Sequence, residues 1–140
     1  MTGMNMKRVI LGGLLAGLII NIGETILNIP VLGAQMEAAL KALNLPPVGG
    51  PAIGGFVVGA FALGVLLVWL YAAIRPRFGP GPKTAAIAGI ILWLLAFAWP
   101  SFGTALMGFY PAKLVAVGVA WGLAEVIIAA IVGASVYKEA

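Results

Sequence analysis

The most regular feature of this chain is a series of four long apolar segments separated by polar, proline-rich stretches. The segments span residues 9–29, 52–74, 84–99 and 113–136. A helix needs about 20 apolar residues to cross a hydrocarbon core about 30 Å thick, and each segment approaches or exceeds that length. Polar and apolar residues do not alternate within the segments, as they would in a membrane β-barrel. The pattern therefore predicts four membrane-spanning helices. The third is the shortest, and we expect Pro100 to end it.

A fifth and shorter helix is predicted at residues 34–44, in the loop between the first two spans. Met36, Ala39 and Leu40 recur at helical spacing, which places them on one face of the helix. Such a helix is too short to cross a membrane, so we expect it to lie on the outer surface or to cap the bundle. The predicted fold is all-α. It is a polytopic membrane four-helix bundle with a short amphipathic helix in the first outer loop, forming one transmembrane domain over residues 1–140.

Composition supports a membrane protein and excludes several kinds of chemistry. Only 9% of the residues are charged, whereas a soluble domain has about 25%. The chain has no cysteine and no histidine, which excludes disulfides, thiol catalysis and the metal sites that depend on those ligands. We therefore expect no metal and no cofactor. The basic residues border the apolar segments and form no single patch, so nucleic acid is not an expected partner.

The distribution of these basic residues predicts the orientation in the membrane. One side carries Lys7, Arg8, Arg75, Arg77, Lys83 and Lys138, and the other carries Lys41 and Lys113. Cytoplasmic loops are enriched in lysine and arginine, so both chain ends are expected in the cytoplasm. The first segment is longer than the apolar region of a signal peptide, and it contains Glu24. We therefore expect it to remain as an uncleaved first helix.

The central loop, residues 75–83, contains three prolines and two glycines. These residues are expected to end the helices on both sides and to form a stiff turn. Arg75, Arg77 and Lys83 lie in this loop. Their expected role is to set the topology, and contact with anionic lipid headgroups is the alternative.

Two glutamates lie inside the apolar segments, each in a stripe of small or polar residues. At about 100° per residue, one face of the first helix and one face of the fourth each collect such residues. The stripes are Gly13, Gly17, Asn21, Glu24 and Asn28 on the first helix, and Gly118, Gly122, Glu125, Ala129 and Gly133 on the fourth. Small residues allow helices to approach closely in lipid. Both glutamates are therefore expected to face a neighbouring helix.

Insertion of a charged side chain at the centre of a membrane helix costs at least about 2.5–3.5 kcal/mol. No lysine or arginine is expected at the depth of either glutamate to offset this cost by an ion pair. One hypothesis is that both carboxyls are neutral and form hydrogen bonds between helices, with Asn21 or Asn28 among the partners. A second is a proton- or cation-binding pair in a transport path. A third is a polar contact with a partner subunit or ligand. Trp121 lies one turn from Glu125 and is placed to shield it from lipid.

The whole chain resembles the small uncharacterised four-helix inner-membrane proteins of bacteria. The resemblance rests on the sequence RPRFGPGPK at residues 75–83, on the Asn21 and Glu24 pair, and on the overall layout. It implies a bacterial inner membrane and no particular activity. The sequence LAEVI at residues 123–127 is also similar to the segment around the membrane glutamate of small multidrug resistance transporters. In that family the glutamate lies on the first helix, whereas here it lies on the fourth.

Two functions follow from these features. The first is a structural or accessory membrane subunit that packs against a second copy or within a larger membrane complex, with the lipid bilayer as its surroundings. The second is a small proton- or cation-coupled transporter that uses Glu24 and Glu125. An enzyme is not expected, because no group that would position a substrate accompanies the two carboxyls.

Overall fold

The computed structural model describes residues 3–139, and this part of the chain forms five helices. They are α1 (Met6–Val31), α2 (Gly33–Ala42), α3 (Gly50–Phe78), α4 (Pro82–Leu106) and α5 (Ala112–Val136). All of them except α2 are long and apolar enough to cross a membrane. The predicted all-α bundle of four long helices with one short additional helix is confirmed.

The four long helices pack in a ring in which consecutive helices run in opposite directions. Helix α1 lies between α3 and α5, and α4 closes the ring on the other side. The first and last parts of the described chain and the α3–α4 loop meet at one end of the bundle, here called the terminal end. Helix α2 and the α4–α5 loop lie at the other end, here called the α2 end.

Helix α4 is longer than the sequence predicts, and the expectation that Pro100 ends it is wrong. The helix continues to Leu106. Residues Leu94–Ala98 form a π-helical turn that ends two residues before the proline. A π turn is wider than an α-helical turn, so it can accommodate the missing N–H group and the bulk of the ring. The third crossing is therefore a full span.

The same correction applies to the other helices that contain a proline. Pro30 lies in a π-helical turn, Leu27–Val31, which carries α1 beyond the predicted end at residue 29. Pro76 lies inside the last turn of α3, which ends at Phe78 and not at residue 74. The residue that ends α3 is Gly79, whose φ of 88° is left-handed and suits glycine. Helix α4 then begins with Pro82, where the missing N–H group costs nothing.

Glycines set the close packing of the terminal half of the bundle. Gly64 of α3 lies directly against Gly13 and Gly17 of α1, and Gly12 of α1 lies against the carbonyl group of Gly133 on α5. None of these positions has room for a Cβ atom. Close backbone approach of this kind favours the association of helices in lipid.

The α2 half of the bundle is more open. Residues 51–59 of α3 are all exposed. Helix α2 covers a small apolar cluster of Leu27, Leu32, Ala39 and Leu114, against which Met36, Tyr110 and Trp121 also pack. The apolar face of α2 therefore faces the bundle.

Candidate functional site

Glu125 lies in the middle of α5 and is almost completely buried. The residue is 5% exposed. Within the described part of the chain, neither of its carboxyl oxygens has a hydrogen-bond partner. The carboxyl group packs directly on Gly23 of α1, where a Cβ atom would collide with Oε1. The absence of a side chain at Gly23 is therefore what makes room for this carboxyl group.

Glu24 brings a second carboxyl group to the same place. It follows Gly23 on α1, is half-buried, and interacts with the carboxyl group of Glu125. The amide nitrogen Nδ2 of Asn28 donates to Oε2 of Glu24 at 3.0 Å and to the backbone oxygen of Glu24 at 2.8 Å. Neither glutamate forms an ion pair with any residue between 3 and 139. The structure therefore places the two carboxyls together without a basic partner.

Trp121 fastens α5 to α1 beside the two carboxyls. Its indole N–H group donates to the backbone oxygen of Gly23 at 3.1 Å. The ring also interacts with the carboxyl group of Glu125. Trp121 is thus the hydrogen-bonding link between the two helices at this level, a role that the sequence suggested for the glutamates.

Asn21 does not join this group. Its Nδ2 atom donates to the backbone oxygen of Val57 on α3 at 3.3 Å. Of the polar-core candidates, Glu24, Asn28, Trp121 and Glu125 come together, whereas Asn21 fixes α1 to the exposed part of α3.

An open cavity of about 240 Å³ lies at the α2 end, between α1, α2, α4 and α5. Its lining includes Leu27, Asn28, Ser101, Thr104, Tyr110 and Gly118. Asn28 therefore borders the cavity and also holds Glu24. On α5, Gly118, Trp121 and Glu125 follow one another at successive turns, so Trp121 lies between the cavity and Glu125. The sequence did not predict this cavity, because its walls come from four elements far apart in the chain.

The other side of the carboxyl pair is closed by apolar packing. Ala16 and Ile20 of α1 and Val126 and Ala129 of α5 lie between the pair and the terminal end, and each is at most 1% exposed. The contact between Gly12 and Gly133 continues this packing. Apolar packing therefore closes the pair toward the terminal end, whereas Asn28 joins it to the cavity at the α2 end.

A cluster of polar side chains ties the elements of the terminal end together. Arg75 forms an ion pair with Glu139, with Nη1 and Oε1 3.0 Å apart. The hydroxyl group of Tyr137 donates to Oε2 of Glu139 at 2.8 Å and accepts from the backbone N–H group of Asn5 at 3.3 Å. The ring of Tyr71 packs edge-on against Tyr137, with centroids 6.0 Å apart. These residues, Asn5, Tyr71, Arg75, Tyr137 and Glu139, are here called the terminal clasp.

The terminal clasp changes the interpretation of the basic central loop. Arg75 is engaged by Glu139 within the protein, whereas Arg77 and Lys83 are exposed at the same end.

Burial of the Tyr137 phenol disfavours its ionised form, and this raises the pKa of Tyr137 above its usual value. This cluster could not be predicted from the sequence, because its members lie near both ends and in the middle of the chain.

The fold and the site together define a multi-pass α-helical membrane protein with two carboxyls in its interior. Comparison with known protein families, with characterised proteins and with solved structures finds no match. The geometry of the site therefore carries the functional argument.

Proposed function

We propose that this protein is a small proton- or cation-coupled transporter in which Glu24 and Glu125 bind the coupling ion. The observation that carries the proposal is the buried carboxyl group of Glu125, which has no hydrogen-bond partner among residues 3–139 and faces a second carboxyl. Two neighbouring carboxylates repel each other strongly where the dielectric constant is low. A proton or a cation must therefore accompany the pair, and ion exchange at such a pair is the basis of a coupled transporter.

A purely structural role explains the carboxyl pair less well. The interhelical hydrogen bond at this level already comes from Trp121, which donates to the backbone oxygen of Gly23, so the two helices do not need the carboxyl pair as their link. A buried polar group without a partner costs about 1–3 kcal/mol. Such a cost is typical of functional sites, where strain and unpaired groups are retained for their chemistry.

Access to the pair supports the same proposal. The polar route from Asn28 to Glu24 begins at the α2-end cavity, and buried alanine, isoleucine and valine side chains close the other side. A site that is open to one side only corresponds to one state of an alternating-access cycle. With both chain ends in the cytoplasm of a bacterial cell, this state would open to the outside of the inner membrane.

Infrared difference spectroscopy on the purified protein in lipid bilayers tests the ion-binding pair. We expect a carboxyl band that changes reversibly when the pH or the sodium concentration is stepped. Glu125→Gln should remove this band, because glutamine keeps the size and loses the titratable proton. Glu37→Gln is the matched control, since Glu37 is exposed on α2. A difference spectrum that is unchanged in E125Q would contradict the proposal.

The second candidate is a structural or accessory subunit that works by helix packing with a second copy or within a larger complex. It is favoured by the exposed half of α3, where a Cβ atom added at Gly54, Gly55 or Gly59 meets nothing within 4 Å. Glycines without a neighbour in the bundle suit the docking of another helix.

The test of this second candidate is the size of the assembly extracted from native membranes. We expect Gly55→Leu to reduce that size and to leave the fold intact, because the added side chain projects away from the bundle. A wild-type protein that is monomeric under all mild extraction conditions would exclude the accessory role.

A further inference from the structure

We propose that the α2-end cavity binds a small uncharged amphipathic molecule that carries a hydroxyl or amide group. This molecule would be the cargo of the transporter, so in that respect the inference rests on the proposed function. The binding site itself is defined by the cavity and does not depend on how the two carboxyls bind an ion.

The size and the walls of the cavity limit the ligand. Its volume is about 240 Å³, which corresponds to roughly eight water molecules at about 30 Å³ each. Leu27, Leu32, Met36 and Leu114 supply apolar walls on three of the surrounding elements. A site of this kind binds the apolar body of a small molecule and leaves orientation to a few polar groups.

The polar groups of the cavity are neutral, and several have unused hydrogen-bonding capacity. The Nδ2 atom of Asn28 is engaged by Glu24, which leaves Oδ1 as an acceptor. Thr104 donates to the backbone oxygen of Ser101 at 2.8 Å and can still accept. The hydroxyl groups of Ser101 and Tyr110 form no side-chain hydrogen bond with residues 3–139. The cavity therefore offers both donors and acceptors, as a hydroxyl or amide group requires.

The absence of charge in this lining argues against an ionic ligand. None of the residues that line the cavity is charged at neutral pH. Burying an ion without a partner of opposite charge is far more costly than burying a neutral group. Glu24 is separated from the cavity by Asn28 and supplies no counter-charge to its lining.

Gly118 provides a way to fill the cavity without disturbing the fold. It lines the cavity, and a Cβ atom added there meets nothing within 4 Å. A larger side chain at this position would project into open space. Gly103 of α4 is the matched control, because it also has open space around it and does not line the cavity.

The experiment measures binding of benzyl alcohol, benzylamine, benzoate and toluene to the full chain in lipid nanodiscs, using saturation-transfer NMR. We expect saturable binding of benzyl alcohol that exceeds that of the other three probes. Gly118→Leu should weaken it by at least about tenfold, which is about 1.4 kcal/mol. Gly103→Leu should bind as the wild type does.

Each other outcome overturns the inference in a specific way. No saturable binding of any probe excludes a ligand site, and equal binding of toluene and benzyl alcohol indicates a lipid-filled crevice only. A preference for benzylamine or benzoate excludes the uncharged class, and unchanged binding in G118L places the probe elsewhere. Benzyl alcohol should bind to E125Q as well. If benzyl alcohol binds to E125Q while the infrared band of E125Q is the same as that of the wild type, the ligand site in the cavity is supported. The ion-binding role of the two carboxyls is then excluded.

Discussion

Gly23 determines how closely Glu125 can approach α1. It has no side chain to displace the carboxyl group, and its backbone oxygen accepts the hydrogen bond from Trp121. The helical projection placed Glu24 and Glu125 on the faces of α1 and α5 that were expected to meet a neighbouring helix, and Glu125 is buried against α1. It missed Gly23, because this residue lies about 100° away from Glu24 on the helix and so outside the stripe. Whether the face of α1 with Gly23 or the face with Glu24 meets α5 depends on how the helices are packed.

A prediction about Gly23 follows from this contact. Gly23→Ala should destabilise the protein by about 1–3 kcal/mol, because the added methyl group forces the buried carboxyl of Glu125 to move. The measurement is the free energy of unfolding in a mild detergent. Gly118→Ala is the control, since the methyl group there enters open space. Equal stabilities of the two variants would contradict the contact.

A second prediction distinguishes the two tryptophans whose indole N–H groups donate to the backbone of a neighbouring helix. Trp121→Phe removes the bond to Gly23, and Trp93→Phe removes a bond of 2.8 Å to the backbone oxygen of Val119. Each loss should cost about 0.6–2 kcal/mol of stability. Only Trp121→Phe should also alter the carboxyl infrared band, because only Trp121 lies beside Glu125. If W93F changes the band to the same extent, the special position of Trp121 is wrong.

At the scale of helices, the existence of each element could be predicted but its ends could not. An unbroken apolar run is enough to indicate a spanning helix. Pro76 and Pro100 looked like helix ends because proline removes a backbone donor. Pro100 is instead accommodated by the π turn Leu94–Ala98, and Pro76 lies in a final turn where few bonds remain to be lost. Whether a helix widens before a proline depends on how the helix packs against its neighbours, and this cannot be predicted from the local sequence.

Two glycines of α3, one at its centre and one near its start, give opposite predictions for the same substitution. Gly64→Ala should destabilise the bundle by about 1–3 kcal/mol, because the methyl group meets the backbone of Gly13 and Gly17. Gly55→Ala should leave stability unchanged, because the position faces open space. Thermal unfolding of the two variants in the same detergent measures the difference. A destabilised G55A would show that the exposed half of α3 packs within the monomer.

The whole molecule has two unlike halves. The terminal half is closed by glycine contacts and by the terminal clasp, whereas the α2 half contains the cavity and the exposed part of α3. The carboxyl pair lies near the boundary between them. Neither the clasp nor the cavity could be predicted from the sequence, because each joins residues far apart in the chain, such as Asn5 with Tyr137 and Met36 with Tyr110.

The terminal clasp predicts a loss of stability at alkaline pH. Burial raises the pKa of Tyr137 in the folded protein, so the bonds of its hydroxyl group are fully present below the unfolded pKa of about 10. Their contribution is lost as the pH rises through the folded pKa. The groups that face this phenol are Asn5, Tyr71, Arg75 and Glu139. Tyr137→Phe should therefore be less stable by about 1 kcal/mol at pH 8.

The difference in unfolding free energy between the wild type and Y137F should then decrease as the pH increases above about 10. The measurement is the unfolding free energy of both proteins at a series of pH values. Comparison with Y137F removes the effect of the other tyrosines and of the lysines, which titrate in both proteins. A gap that stays constant to high pH would show that Tyr137 does not stabilise the clasp through its neutral form.

The final prediction concerns the orientation of the whole molecule, which decides the side to which the cavity opens. The chain has no cysteine, so Lys41→Cys and Lys138→Cys each create a single thiol, and both positions are exposed. The excess of basic residues at the terminal end predicts that this end is cytoplasmic. A membrane-impermeant maleimide should therefore label K41C in intact bacterial cells and label K138C only after the membrane is permeabilised. The reverse pattern would place the cavity on the cytoplasmic side, and the direction of the proposed transport would have to be reversed with it.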